Sequence, residues 1–352
     1  MNRRDFIVLL GTAVYSRQGF SEEPRRQHKL AIINPILAVD EMREASVNPN
    51  WRAFFIELRR LGYIEGTNLT VHRYSAGGRD VYRELANKAL GLGPDVILAV
   101  SNRVVRVVRE VTVDTPIISI MADPVSEGFV ASLGAPGSNI SGVASDAGIE
   151  VWEKRLQFIK ELVPGASRLS FLPAPNIGPP FLDTPYGRAV QEMAMRAHMQ
   201  LSIAALQPPI NEVEFRRIFE QIVRFTDILL VGEGPTNSAY RRLIVELTGN
   251  IPAMYPWREY VEAGGLMAYA VELEPLYQYM AGQVASIFNG TRVGEIPVYQ
   301  ARMFKLTINV KAAKTLGLTV PPTILACADV TLPSVSRSRP CSRRAKPAYL
   351  MH

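Results

Sequence analysis

Cysteine and histidine are scarce in this 352-residue chain, and their scarcity removes whole classes of function. Two cysteines, Cys327 and Cys341, are too few for a disulfide-stapled domain or a zinc site. They read as free or incidental thiols, with a bridge in an oxidising compartment as the alternative. The histidines His28, His72, His198 and His352 stand singly, none at helical spacing from another His, Cys or carboxylate, so no metal is expected. A Gly-x-Ser-x-Gly elbow and a Walker loop are also missing. Gly232-Glu-Gly-Pro starts like a dinucleotide fingerprint, but Pro235 and the absent third glycine spoil it, so no cofactor is expected. No apolar run approaches the roughly 18 residues of a membrane-spanning helix, and a soluble mature chain is expected.

The formal net charge of +6 suggests nucleic acid until it is located. Arg3, Arg4, Arg17, Arg25, Arg26 and Lys29 lie in the first thirty residues, and Arg337, Arg339, Arg343, Arg344 and Lys346 lie in an acid-free tail. The body between them is slightly acidic, so no nucleic-acid partner is expected. Residues 1–20 read as a twin-arginine export signal, with Arg3-Arg4-Asp5-Phe6 before a short apolar run and cleavage before about Ser21. An unstructured N-terminus that happens to begin with two arginines is the competing reading, favoured by the lack of an Ala-x-Ala site. Residues 331–352, rich in Ser, Arg and Pro, cannot bury a core and read as a disordered basic tail.

Between these ends, short β-branched runs alternate with amphipathic segments. Leu30–Ile33, Leu69–Tyr74, Val96–Val100 and Ile117–Met121 read as buried strands, with Trp51, Phe54, Phe55, Leu58 and Leu61 at helical spacing between the first two. The rhythm restarts after Gly142 with Trp152, Leu156, Ile159 and Val163 on a helix, then strands at Leu169–Leu172, Leu201–Ala204 and Ile228–Val231. A last helix places Leu276, Tyr279, Met280, Val284, Ile287 and Phe288 inward, before a closing strand at Phe304–Asn309. Strands separated by helices of this length imply right-handed crossovers and parallel sheets, and the repeat implies two similar Rossmann-like α/β lobes.

The segment from Ile251 to Tyr269 carries the strongest local signal. Pro252 and Pro256 stiffen it, Gly264-Gly265 admits unusual backbone angles, and Tyr255 and Trp257 stand between them. The rings read either as core filling or as an aromatic wall facing a ligand.

This segment resembles the I-P-A-x-Y-x-x-R-E-x-x-E-A-G-G-L-x-x-Y-G pattern of solute-binding proteins of a bacterial ABC-transporter family of the tryptophan/tyrosine type. Leu61-Gly-Tyr-Ile-Glu-Gly-Thr-Asn-Leu, Leu133-Gly-Ala-Pro-Gly-Ser-Asn-Ile-Ser-Gly and Phe304-Lys-Leu-Thr-Ile-Asn-Val-Lys-Ala-Ala-Lys-Thr-Leu-Gly-Leu-Thr-Val-Pro-Pro match the same family in order, from about Leu30 to Asp329. The resemblance implies a type I periplasmic binding fold with crossovers near Gly142, near Tyr269 and near Arg292 to Pro297. It therefore implies lobe 1 at 28–142 plus 270–292 and lobe 2 at 143–269 plus 293–330. The tail after Asp329 departs from the family.

The function implied is that of a monomeric periplasmic receptor, closing its hinge on an amino acid or other small carboxylate and passing it to an ABC permease in the inner membrane. Open parallel sheets bind ligands beyond the C-terminal ends of their strands. Those ends carry Asn34, Ser101, Asn102 and Asp123 on the first lobe, and Asn176, Glu233, Tyr255, Trp257 and Tyr269 on the second. Helix capping and turn formation compete for each Asn and for Asp123. A ligand-sensing regulator core and an α/β enzyme with an interdomain active site are the rival readings. The first would need a helix-turn-helix ahead of Leu30, and the second a nucleophile with its base in register.

Overall fold

Two parallel sheets follow from runs of residues buried on both faces. The structure, a computed structural model, describes residues 26–145, 149–175, 180–301 and 303–332. The export-signal reading, Asn176 and everything after Leu332 lie outside the described residues. The first sheet uses β1 (His28–Asn34), β2 (Leu69–Ser75), β3 (Val96–Val100), β4 (Ile117–Met121) and β5 (Ile140–Ala144). Helices α1 (Pro49–Arg60), α2 (Tyr82–Leu90) and α3 (Asn102–Val111) connect its first four strands. The chain then builds α4 (Ile149–Leu162), β6 (Arg168–Leu172), α5 (Pro185–Arg196), β7 (Gln200–Ile203), α6 (Glu212–Ile222) and β8 (Ile228–Val231). It continues through α7 (Pro235–Ala239), α8 (Arg241–Thr248), β9 (Ala253–Tyr255), α9 (Arg258–Glu262) and β10 (Met267–Val271). Last come α10 (Leu273–Phe288), β11 (Tyr299–Gln300), β12 (Phe304–Asn309), α11 (Val310–Thr315), α12 (Pro322–Cys327) and β13 (Val330–Leu332).

The first sheet has the order β11-β5-β4-β3-β1-β2, and the second β13-β12-β10-β9-β8-β6-β7. Every pairing is parallel except β10 with β12. Period-two alternation fills a core on both faces of each sheet. On β8, Ile228 and Leu230 enter one core while Leu229 and Val231 enter the other. On β3, Val96 and Leu98 oppose Ile97 and Ala99 in the same way.

Capping starts α1: the Asn48 side chain accepts from the N–H groups of Asn50 and Trp51, and Pro49 supplies a helical φ without an orphan donor. Trp51 then packs edge-on against Tyr277 of α10 at 5.2 Å. The last long helix thus belongs to the first lobe although it follows the second in sequence. Tyr279 departs from the inward stripe the periodicity predicts. It is 41% exposed and stacks on Tyr299 at 4.3 Å, since its turn of the helix faces the edge strand rather than the sheet.

The chain crosses between sheets three times: between Ala144 and Ile149, between Val271 and Leu273, and between Gln300 and Phe304. The third crossing lies beyond the Arg292–Pro297 that the resemblance implies, because Tyr299–Gln300 first pairs with Val143–Ala144 as an edge strand of the first sheet. Likewise Thr331 and Leu332, which composition assigns to the tail, pair with Ile308 and Asn309. Gly142 in β5 has φ 141°, and a Cβ there would lie 1.9 Å from the Ser119 carbonyl oxygen, so only glycine allows the two strands to approach this closely. An ion pair of 2.5 Å between Lys305 and Glu272 ties the second crossing to the third.

Candidate ligand cleft

The connections leave from the C-terminal ends of β5, β10 and β11, so the carboxyl edges of both sheets converge on the crossings. Trp257 follows β9 at this junction. It is half-buried and packs against core residues of both lobes. Its neighbour Tyr255 does something else. Alternation along β9 sends Met254 to one face and Ala253 with Tyr255 to the other, where Tyr255 is 1% exposed and stacks on Tyr260 at 5.2 Å. A Cβ on Gly265 would meet the Tyr255 ring at 2.5 Å, so the glycine pair of the motif makes room for a core tyrosine. Burial pushes the Tyr255 hydroxyl well above its usual range. The expectation of an aromatic wall is thereby reduced to Trp257.

Tyr269 is half-buried between Phe158 at 5.2 Å and Phe304 at 5.4 Å, inside the second lobe's core. Its carbonyl, in the middle of β10, accepts from Arg155 Nε at 2.8 Å. Arg155 Nη2 donates to Glu233 Oε1 at 2.7 Å and to the Pro256 carbonyl at 3.3 Å. One guanidinium therefore ties the loops after β8 and β9 to the middle of β10. Arg155 is 1% exposed and Glu233 16% exposed. The Trp152 ring lies over the guanidinium, 4.3 Å from Cζ. Arg155 is absent from the candidates at the strand ends because it sits on a helix, yet it carries a signal: it is the charged residue on the buried stripe of α4, between Trp152 and Ile159.

Glycines keep this rim thin. A Cβ on Gly234 would sit 2.4 Å from Ala174 Cβ, so the loops after β6 and β8 lie against each other. Buried Asn237 holds them there, donating to the carbonyls of Gly232 at 3.0 Å and Pro173 at 3.4 Å.

On the first lobe, local structure claims most of the polar candidates. Asn34 is buried, and its Oδ1 accepts from the N–H groups of Ile36 and Leu37 at 3.0 and 2.9 Å. Asn102 bonds both polar groups of Ala122, 2.8 Å to the carbonyl and 2.9 Å from the N–H, fixing the turn after β4. Asp123, exposed with φ 31°, accepts from Ser126 N–H at 3.1 Å. Ser101 differs: it has φ 87°, and its buried Oγ has no partner among the described residues. The structure thus brings Glu233, Trp257 and the Tyr269 carbonyl together on one side and sets Ser101, Asn102 and Asp123 at the ends of β3 and β4 on the other. Among the described residues no group of His, Cys, Asp and Glu is arranged to hold a metal ion, and no helix is long and apolar enough to cross a membrane.

Known proteins resemble this chain in sequence and in structure. A tyrosine-binding protein of Clostridioides difficile is 26% identical over 277 residues, 76% of each chain. The structure is similar to that of a conserved domain protein from Vibrio cholerae, with TM-score 0.75 and 22% identity over 87% of this chain and 100% of the other. It is also similar to an ABC domain in complex with L-Trp from Streptococcus pneumonia, with TM-score 0.74 and 18% identity over 87% and 99%. These likenesses show the type I periplasmic binding fold. The model of the family described as ABC transporter substrate binding protein matches residues 52–332, and the chain belongs to that family.

Proposed function

We propose that this protein is the periplasmic receptor of an ABC importer, closing its two lobes on an amino acid with an aromatic side chain and delivering it to an inner-membrane permease. The observation that carries the reading is Trp257, a half-buried ring packed against the cores of both lobes and next in sequence to Pro256, whose carbonyl accepts from Arg155. An aromatic ring at a hinge can stack on a flat ligand and also stabilise the closed state, and differential affinity for that state is all the function requires. The tyrosine named for one relative and the L-Trp in the other's structure support the same ligand class. The receptor acts as a monomer and is exported by way of Arg3 and Arg4.

Titration with L-tyrosine, L-tryptophan and L-leucine tests this. An aromatic amino acid at about 100 times its dissociation constant stabilises the fold by roughly 2.7 kcal/mol, and the scattering radius shrinks. Stabilisation by leucine alone, or binding without compaction, overturns it. An enzyme reading predicts turnover instead, whereas a receptor returns its ligand unchanged. For export, a double Arg3→Lys, Arg4→Lys variant is expected to stay in the cytoplasm, because the guanidinium pair is the element recognised.

A further inference from the structure

Two buried donors at the carboxyl edge of the second sheet have no acceptor among the described residues. Arg155 bonds through Nε and Nη2, but its Nη1 is unpartnered, and so is the indole N–H of Trp152, whose ring covers the same guanidinium. Both side chains are fully buried or nearly so. Arginine cannot shed its proton to escape the cost of an unmade bond, so the arrangement calls for an acceptor that arrives from elsewhere. Glu233 is the more exposed member of the pair and holds Arg155 through Oε1.

Charge balance then selects the ligand. The pair is neutral as it stands. A lone carboxylate would leave the desolvated site negative and a lone ammonium would leave it positive, whereas a zwitterion preserves neutrality.

Resting on the reading of the cleft as an amino-acid site, we infer that Arg155 and Glu233 form one recognition pair for the ligand's head group. Arg155 Nη1 donates to the α-carboxylate, and Glu233 accepts from the α-ammonium. The Trp152 N–H is a second donor to the carboxylate. The pair therefore specifies an α-amino acid over any amine or acid of the same shape, while Trp257 selects the side chain.

Calorimetric titration with three probes of one shape tests the inference: L-tyrosine, tyramine, which lacks the carboxylate, and 3-(4-hydroxyphenyl)propionate, which lacks the ammonium. The wild-type protein is expected to prefer L-tyrosine over each by about 100-fold. Arg155→Lys should cut the preference over tyramine to under about tenfold while leaving the preference over the propionate largely intact. Glu233→Gln should do the reverse. Because Glu233 is partly exposed, this second variant keeps the test decisive if Arg155→Lys does not fold. A tryptophan, tryptamine and indole-3-propionate series repeats it for the other ligand candidate. Preferences unchanged in Glu233→Gln, or equally lowered for both analogues, make the pair a purely structural clamp and overturn the inference alone. Absence of binding by any amino acid overturns both it and the proposed function.

Discussion

The two rims of the cleft are built from similar residue types and use them in opposite ways. On the first lobe, Asn34, Asn102 and Asp123 close on backbone within a few residues or on the neighbouring turn, leaving Ser101 Oγ unpartnered among the described residues. On the second, an arginine reaches in from a helix, ties the loops after β8 and β9 to the middle of β10 and keeps one nitrogen unpartnered among the described residues. The difference teaches that a polar side chain at a strand end says little until its bonds are counted. The residue with spare capacity can come from an element that pattern reading assigns to the core.

The sharpest way to break this comparison is Tyr255. As a core residue, Tyr255→Ala should cost about 3–5 kcal/mol in denaturant unfolding with or without ligand. A loss of affinity with stability intact would return Tyr255 to the cleft. Gly265→Ala, which pushes a methyl into the Tyr255 ring and toward the Tyr260 carbonyl, should cost about 1–3 kcal/mol, and part of that cost should be relieved when Tyr255 is Leu. Additive effects in that double variant would mean the two do not pack as described.

Trp257→Ala is expected to weaken binding of an aromatic amino acid by about 1–3 kcal/mol while the apo protein loses less stability than in Tyr255→Ala. Asn102→Ala sharpens the contrast from the other rim: it should cost about 1 kcal/mol of stability and leave the preference between ligands unchanged.

The smallest expected effects are those of pH, and they separate the lobes. Burial lowers the proton affinity of His28 below the usual 6.5, with Asp95 opposing and Arg26 assisting. The unfolded chain therefore binds that proton more readily, so the contribution of His28 to stability is complete above pH 6.5 and declines as pH falls through its folded value. In the second lobe, the Arg217 hydrogen bond holds Glu214 down to about 2 against the opposing effect of burial, with the Gln207 N–H assisting. Its contribution is complete above its usual 4.5 and is lost as pH falls toward 2. Denaturant midpoints measured from pH 8 to 3 should decline first through His28, and His28→Gln should flatten that upper decline alone.

Much of the fold was legible in the chain because it rests on local period. Runs such as Val96–Val100 and Ile228–Val231 are short, β-branched and almost wholly buried, as central parallel strands are, and the stripe on α1 dictates its buried side. The four family motifs lie in order along these elements. What local pattern could not decide was which way a ring turns and where a bond ends. Tyr255 and Trp257 are two residues apart in one motif, yet strand alternation carries one into the core before the chain turns and leaves the other at the junction of the lobes. Arg155 reads as an ordinary helical charge until β8, β9 and β10, from about 75 to 115 residues further along, bring Glu233, Pro256 and Tyr269 to its guanidinium. Residue types and their order determined the layers, the strands and the edge on which the proposed ligand site was sought. Tertiary structure alone decided which groups there are already satisfied, because hydrogen-bond accounting depends on partners that sequence distance does not reveal.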